Sequence, residues 1–287
     1  MAAPVIQLFV NRLAGSASRR RVQTLRRALE QAGAHVIETP SGAGAGELIV
    51  AEEATHVCAV GGDGTLRHVT AAVARAGRAI PMSIFPSGTV NLLAREYGYG
   101  RDPRAFVHRI LGSGSPRLGR IATIGETMMF TCASIGPDSA AVAGLNPRLK
   151  RLIGRAAYGV AFLSLLVRWR RPQLRLRAGD HVTACEAVYI AKGRYYAGPW
   201  SFAPHAAAED PYLHIVALRR ARRRDFLRFI WALLRRTDFA RDTNLVRLSC
   251  AELTLEGEGV LALQADGDII AHLPVDIVIS DTPQPFA

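Results

Sequence analysis

Lysine is nearly absent from this chain. Lys150 and Lys192 are the only two among 36 basic residues, and the rest are arginine. Neither lysine stands in a Gly-Lys-Ser/Thr context, which excludes a Walker A phosphate loop. Cysteine is also sparse: Cys58, Cys132, Cys185 and Cys250 are widely spaced, with no CxxC pair and no zinc pattern. They read as reduced core residues of a cytosolic protein. The eight histidines include no pair at zinc spacing. There is no His-Arg-Asp or Asp-Phe-Gly sequence and no Gly-x-Ser-x-Gly elbow, which removes protein kinases and serine hydrolases from consideration. Long apolar runs are missing. The best, Ala156 to Val167, lies between Arg155 and Arg168 and falls short of the ~20 residues a bilayer span needs. The start, Met-Ala-Ala-Pro-Val-Ile, lacks a basic n-region, so no signal peptide is expected. Acid is in deficit: 24 Asp and Glu leave a net charge of +12, suited to nucleotides, nucleic acid or anionic lipid. No aromatic-basic stacking motif or DNA-reading helix is visible, so nucleic acid is not the expected partner.

What is present is a core and one unusual turn. The 287 residues are 49% apolar, enough for two modest domains. Val57-Cys58-Ala59-Val60 is an apolar run of β character that breaks into Gly61-Gly62-Asp63-Gly64-Thr65, after which Leu66, Val69 and Val73 recur at helical spacing. A strand ending in a glycine-rich turn at a helix N-terminus lets backbone N–H groups approach an anion closely. Asp63, an anion in such a place, fits either as a group facing a bound cation or as one holding the loop by hydrogen bonds.

Around it the chain alternates. Val5 to Val10 reads as a strand, Val22 to Ala32 as a helix closed by Gly33, and Ala34 to Ile37 as a second strand. Ser41 to Gly46 reads as a flexible loop and Leu48 to Ala54 as a helix. The next helix runs from Thr65 to Ala76, and Ile80 to Phe85 is a fourth strand that breaks at Pro86-Ser87-Gly88-Thr89-Val90-Asn91. This alternation predicts a doubly wound parallel sheet over residues 1–124, with ligands beyond the carboxyl ends of its strands. The loops carrying Asn11 to Gly15, Thr39, Gly61 to Thr65 and Ser87 to Asn91 would then share one edge. The segment 281–287 is a candidate to complete this domain.

From residue 125 strands dominate: Thr127 to Ser134, Gln173 to Arg177, Val182 to Ala191, Leu213 to Leu218, Leu245 to Leu255, Val260 to Gln264 and Val275 to Ile279. A mainly antiparallel β-sandwich over 125–280 is expected, with the active cleft between the domains. Two basic amphipathic helices interrupt it. Residues 148–171 hold seven basic residues and no acid, and residues 219–236 hold eight arginines against Asp225. Both suit an anionic membrane surface, and both equally suit a helix packing one face on the sandwich. Near the end, Asp266-Gly267-Asp268 reads as a hairpin turn, or as carboxylates able to take a proton from a hydroxyl nucleophile.

Gly61-Gly62-Asp63-Gly64-Thr65, the run Phe85-Pro86-Ser87-Gly88-Thr89-Val90-Asn91-Leu92-Leu93-Ala94-Arg95, and Asp266-Gly267-Asp268 together resemble the diacylglycerol kinase catalytic family, which includes sphingosine and ceramide kinases. The resemblance runs over nearly the whole chain. It implies an α/β nucleotide-binding domain, a C-terminal β-sandwich, and transfer of the γ-phosphoryl of ATP to a lipid hydroxyl with Mg²⁺. Nucleotide contacts would fall on Asn11, Arg12, Leu13, Ala14, Gly15, Thr39, Gly61, Gly62, Asp63, Gly64, Thr65, Leu66, Arg67, Ser87, Gly88, Thr89 and Asn91. The base would be Asp266 or Asp268. A structural Mg²⁺ would fall on Asp210 with backbone oxygens near Ala207 and Tyr212. The implied setting is cytoplasmic, at the inner face of a membrane. The chain departs from the family's habit at Arg67, His68, Leu92 and Pro211, and Pro211 fixes φ and removes a donor in the implied metal loop. A NAD-kinase-like enzyme and a nucleotide- or lipid-binding protein without catalysis are the rival readings.

Overall fold

The computed structural model describes residues 3–13, 19–42, 44, 46–88, 90–112, 114–143, 171–235 and 242–287. They form two compact units, Met1–Gly119 with Thr282–Ala287, and Arg120–Asp281.

The first unit runs β1 (Val5–Val10), α1 (Arg19–Gln31), β2 (His35–Pro40), β3 (His56–Gly61), α2 (Asp63–Arg75), β4 (Met82–Pro86), α3 (Leu92–Glu96), α4 (Pro103–Leu111) and β5 (Arg117–Gly119). The last strand of the chain, β18 (Gln284–Phe286), returns to it, giving the sheet order β2-β1-β3-β4-β18-β5. All these pairs are parallel except β18 with β5. Val57, Cys58, Ala59 and Val60 are buried on both faces, as the uninterrupted apolar run requires of a central parallel strand. The register levels the carboxyl ends: Val10 pairs with Val60, and Val60 with Phe85. Asn11, Gly61 and Ser87 therefore leave the sheet at one edge. Val22, Leu25 and Leu29 form the buried stripe of α1, which packs against α4 and β2.

The expected helix over Leu48 to Ala54 is absent. The backbone there is satisfied from elsewhere. The Gln7 side chain donates to the Ile49 carbonyl (3.0 Å) and accepts from the Ala51 N–H (2.8 Å), while Arg75 and Arg78 donate to the carbonyls of Leu48, Ala51 and Ala54. Seven residues cannot repay helix nucleation when their polar groups already have such partners.

The second unit contains β6 (Ala122–Ile124), β7 (Thr127–Met129), β8 (Cys132–Ile135), α5 (Pro137–Ala143), β9 (Leu174–Ala178), β10 (His181–Cys185), β11 (Ala187–Ala191), β12 (Leu213–Leu218), α6 (Arg223–Arg235), β13 (Leu245–Cys250), β14 (Glu252–Gly257), β15 (Ala262–Ala265), β16 (Asp268–His272) and β17 (Val275–Ile279). Two antiparallel sheets, β10-β9-β14-β17-β6-β7 and β13-β12-β11-β8-β15-β16, share one apolar core that includes Leu176, Leu255 and Ile277 from the first and Ile135, Ile190 and Ile215 from the second. Three runs that read as single strands are each two. Thr127 to Ser134, Val182 to Ala191 and Leu245 to Leu255 all cross from one sheet to the other. Glu186 marks one corner. Its buried carboxylate accepts from the Arg171 Nε (2.7 Å) and from the Ala221 N–H (2.7 Å), which turns the chain between β10 and β11.

Candidate functional site

In the first unit two turns are locked together at the sheet edge. Gly62 is the extended residue ahead of α2, and Asp63, Gly64 and Thr65 open the helix, so their N–H groups have no acceptor within it. A Cβ on Gly61 would lie 2.3 Å from Thr65 Oγ1, and one on Gly88 would lie 2.7 Å from both the Gly62 Cα and Asn91 Oδ1. The Ser87 and Gly88 N–H groups both donate to the Gly61 carbonyl, at 2.8 and 3.2 Å. The Asp63 carboxylate accepts from the Leu92 and Leu93 N–H groups, at 3.0 and 3.2 Å, and so caps α3, the helix after the second turn. Of the two roles open to Asp63 in the sequence, the geometry realises the one that holds the loop. Asn91 sits at φ +54°, where asparagine is tolerated, and its Nδ2 donates to the Gly88 carbonyl (2.8 Å).

A third loop joins them. Asn11 Nδ2 donates to Thr65 Oγ1 (3.0 Å) and its Oδ1 accepts from the Leu13 N–H (3.1 Å). Gly42, at φ +112°, packs so closely on Asn11 that a Cβ would meet its Oδ1 at 2.6 Å. Ser41 and Gly42 read in the sequence only as part of a flexible loop; their one signal was a glycine two residues past the Pro40 strand end. Among the described residues, Ser41 Oγ and Asn91 Oδ1 are buried without a hydrogen-bond partner. Orphaned polar atoms beside a glycine cradle are what a polar ligand would satisfy, and a nucleotide phosphate and ribose fit that chemistry.

The other sequence candidates are unequal. Leu66 is fully buried and belongs to the core under the turn. Arg12 pairs with Glu38 (2.9 Å), Leu13 is exposed, and Thr39 Oγ1 accepts from Gln7 Nε2 (2.9 Å). Arg67 is half-buried on α2, one turn past the glycines. Ala14, Gly15 and Thr89 lie outside the described residues, as does all of the basic segment 148–171 except Arg171.

In the second unit Asp266 and Gly267, at φ +49° and +89°, make the tight turn between β15 and β16. The Asp266 carboxylate points back into the fold. It accepts from the Phe130 N–H (2.9 Å), the Thr131 N–H (2.9 Å), the Thr131 hydroxyl (2.6 Å) and the Cys132 N–H (3.2 Å). Four donors on a buried carboxylate give Asp266 an anchoring role. Asp268 is half-buried at the start of β16. Behind the turn runs a polar chain that the sequence did not disclose. The Gly267 N–H donates to Gln264 Oε1 (3.1 Å), and Gln264 Nε2 donates to Ser134 Oγ (2.7 Å). Ser134 and Tyr196 both donate to Asp138 Oδ2. Burial pushes the Asp138 carboxyl above the usual range.

Two of the implied metal ligands are already engaged, the Asp210 carboxylate and the Ala207 carbonyl, which accepts from the Asp210 N–H (3.0 Å) and Lys192 Nζ (3.3 Å). Asp210 Oδ2 accepts from the Ala207 N–H (2.9 Å) and His214 Nε2 (2.8 Å), and Tyr212 is exposed with its ring edge-on to His214. No cluster of three or more His, Cys, Asp or Glu able to hold a metal occurs among the described residues. This arrangement does not fit the Mg²⁺ site that the resemblance implies.

Helix α6 has two apolar faces. Phe226, Phe229 and Leu233 are buried, with Phe229 stacked 4.5 Å from Tyr189. Leu227, Trp231 and Leu234, at i, i+4 and i+7, are exposed among Arg224, Arg228 and Arg235. No helix among the described residues is long and apolar enough to cross a membrane.

Residues 5–121 match the diacylglycerol kinase catalytic domain, and residues 131–285 match the YegS C-terminal NAD kinase beta sandwich-like domain. A Pseudomonas aeruginosa protein named a probable lipid kinase, YegS-like, is 31% identical over 174 residues, 60% of this chain and 57% of that protein. A Pseudomonas syringae protein of the same name is 30% identical over 165 residues, 57% of this chain and 53% of that protein. The chain thus spans about half the length of the curated relatives it matches. A diacylglycerol kinase crystal structure from Bacillus anthracis shares the fold, with a TM-score of 0.73 over 99% of this chain and 96% of that one at 17% identity. By both of its domains, the chain belongs to the diacylglycerol kinase catalytic-domain family, with a C-terminal sandwich of the YegS type.

Proposed function

We propose that the chain is an ATP-dependent lipid kinase that transfers the γ-phosphoryl group to a hydroxyl of a membrane lipid. The observation that carries this reading is the glycine-to-glycine contact of Gly62 with Gly88, clamped by Asp63, which brings two helix N-termini together beside orphaned polar atoms. Such a cradle binds the triphosphate through backbone N–H groups and needs no lysine. Mg²⁺ bound with the nucleotide would supply charge neutralisation; the chain supplies position and electrostatic stabilisation. Asp268 acts as the base that accepts the lipid hydroxyl proton, since Asp266 already has four donors.

Lipid rather than a soluble acceptor is supported by α6. Leu227, Trp231 and Leu234 would enter the headgroup boundary while Arg224, Arg228 and Arg235 meet anionic lipid, at the cytoplasmic face of the membrane. The test is phosphate transfer from labelled ATP to a panel of diacylglycerol, ceramide, sphingoid base and phosphatidylglycerol in mixed micelles. A labelled lipid is the expected product. Transfer only to NAD would replace this reading with a NAD-kinase-like one. Nucleotide binding without turnover on any acceptor would make the chain a binding protein, with Arg67, His68 and Leu92 the departures to revert first.

A further inference from the structure

We propose that the ammonium of Lys192 holds the 203–213 loop in this chain, standing where the family resemblance implies a structural divalent cation. Lys192 follows β11, is fully buried, and is one of only two lysines in an arginine-rich chain. A buried cation survives only with close acceptors. Here they include two consecutive backbone carbonyls: Lys192 Nζ donates to Ala208 O at 2.7 Å and to Ala207 O at 3.3 Å. A compact ammonium suits this enclosed place, and a planar guanidinium with five donors does not.

The same carbonyls take a second donor each. Ala208 O accepts from the Arg120 N–H (2.8 Å), and Ala207 O accepts from the Asp210 N–H (3.0 Å). A carbonyl has two lone pairs, so both oxygens are full. Asp210, the one carboxylate of the implied set, turns Oδ2 to the Ala207 N–H and to His214 Nε2. Its partners hold the loop on itself and on β12. A divalent cation entering here would have to strip the carbonyls from Lys192 and sit within a few ångströms of its charge. Pro211, which stands where the resembled family commonly has glycine, belongs to the same change, since a loop fastened by an ammonium and a carboxylate does not need glycine's backbone flexibility at that position. The main-chain N–H of Lys192 donates to the Thr131 carbonyl (2.8 Å), and Thr131 in turn holds Asp266. The lysine thus ties the loop to the segment that anchors the Asp266 turn.

The experiment uses the full chain without nucleotide. Thermal unfolding is followed with EDTA and with millimolar Mg²⁺, for wild type, Lys192→Met and Asp210→Asn. The expected result is a wild-type midpoint indifferent to either addition and a Lys192→Met midpoint lower by roughly 5 °C or more, or no folded protein at all. Any Mg²⁺ stabilisation that survives Asp210→Asn comes from another part of the molecule and agrees with the proposal. A wild-type midpoint that falls in EDTA and recovers with Mg²⁺, with the response lost in Asp210→Asn, overturns it. So does a Lys192→Met protein that melts with wild type. The wild-type arm decides even if the variant does not fold, and none of these readouts depends on kinase activity.

Discussion

A methyl group on Gly88 has nowhere to go, because the Gly62 Cα and Asn91 Oδ1 both lie 2.7 Å from where it would sit. Gly88→Ala should part the two turns and weaken nucleotide binding about tenfold or more, measured by calorimetry, with the far-ultraviolet spectrum unchanged. Binding at wild-type affinity would mean that the contact is not part of the cradle. The two late aspartates should separate cleanly. Asp266→Asn puts an amide against donors that want a carboxylate and should cost about 2 kcal/mol in denaturant unfolding. Asp268→Asn should leave stability within about 0.5 kcal/mol and lower phosphate transfer about a hundredfold or more. The reverse pattern would move the base to Asp266. His56 bears on pH. It is buried at the start of β3 against Ser83 (2.8 Å), and burial pushes its pKa down to about 4. Its neutral form is favoured in the fold, so the unfolded chain takes up the proton first, near 6.5. Stability should therefore fall by about 3 kcal/mol as pH drops from 6.5 through 4. His56→Gln should flatten that part of the curve, measured by urea unfolding at both pH values; an unchanged slope would assign it to other groups.

Helix α6 shows what periodicity can and cannot reveal. Its spacing announced one buried face, and Phe226, Phe229 and Leu233 provide it. That Leu234 belongs to a second, exposed row with Leu227 and Trp231 depends on how the sandwich meets the helix, which no local pattern records. The strand–turn–helix units at Gly61 and Ser87 were legible for the opposite reason. Their chemistry is local, since β character must stop where glycine and a helix start coincide. The three strand runs that cross between sheets were not legible, because both halves are apolar and the corner is set by distant partners such as Glu186 with Arg171 and Ala221. The same holds for Asp138 and Lys192, whose roles exist only through residues far along the chain. At this scale the test of α6 is flotation with vesicles of phosphatidylglycerol or of phosphatidylcholine. The wild type should float with the anionic vesicles and lose that binding in high salt. Leu227→Glu with Trp231→Glu should abolish it without lowering the thermal midpoint, as both side chains are exposed. Wild-type flotation by the double variant would mean that another surface meets the lipid.

The molecule as a whole is built with one of its units in two pieces. Thr282–Ala287 belongs with Met1–Gly119, and β18 lies inside that sheet, between β4 and β5, so β5 reaches the rest of the sheet only through it. Phe286 is buried 4.6 Å from the Tyr97 ring, the Ala287 N–H donates to the Met82 carbonyl (3.0 Å), and Gln284 Nε2 donates to the Ile80 carbonyl (2.9 Å). The first unit is therefore complete only when the second has been crossed in sequence, and a fragment ending at Gly119 lacks an interior strand. Removing Thr282–Ala287 should cost about 3 kcal/mol for the Phe286 ring alone, with the lost strand pairing added. It should strip hydrogen-exchange protection from β4 and β5 while leaving the core strands β9, β14 and β17 protected, because those lie wholly within Arg120–Asp281. Since β4 leads directly into Ser87 and Gly88, nucleotide binding should weaken in step with that protection. Full protection of β4 in the truncated chain would show that the parallel sheet closes without β18. Equal loss in both units would show that they unfold as one; the first outcome would refute a first unit whose integrity depends on the last six residues, and the second would refute the confinement of that dependence to the first unit.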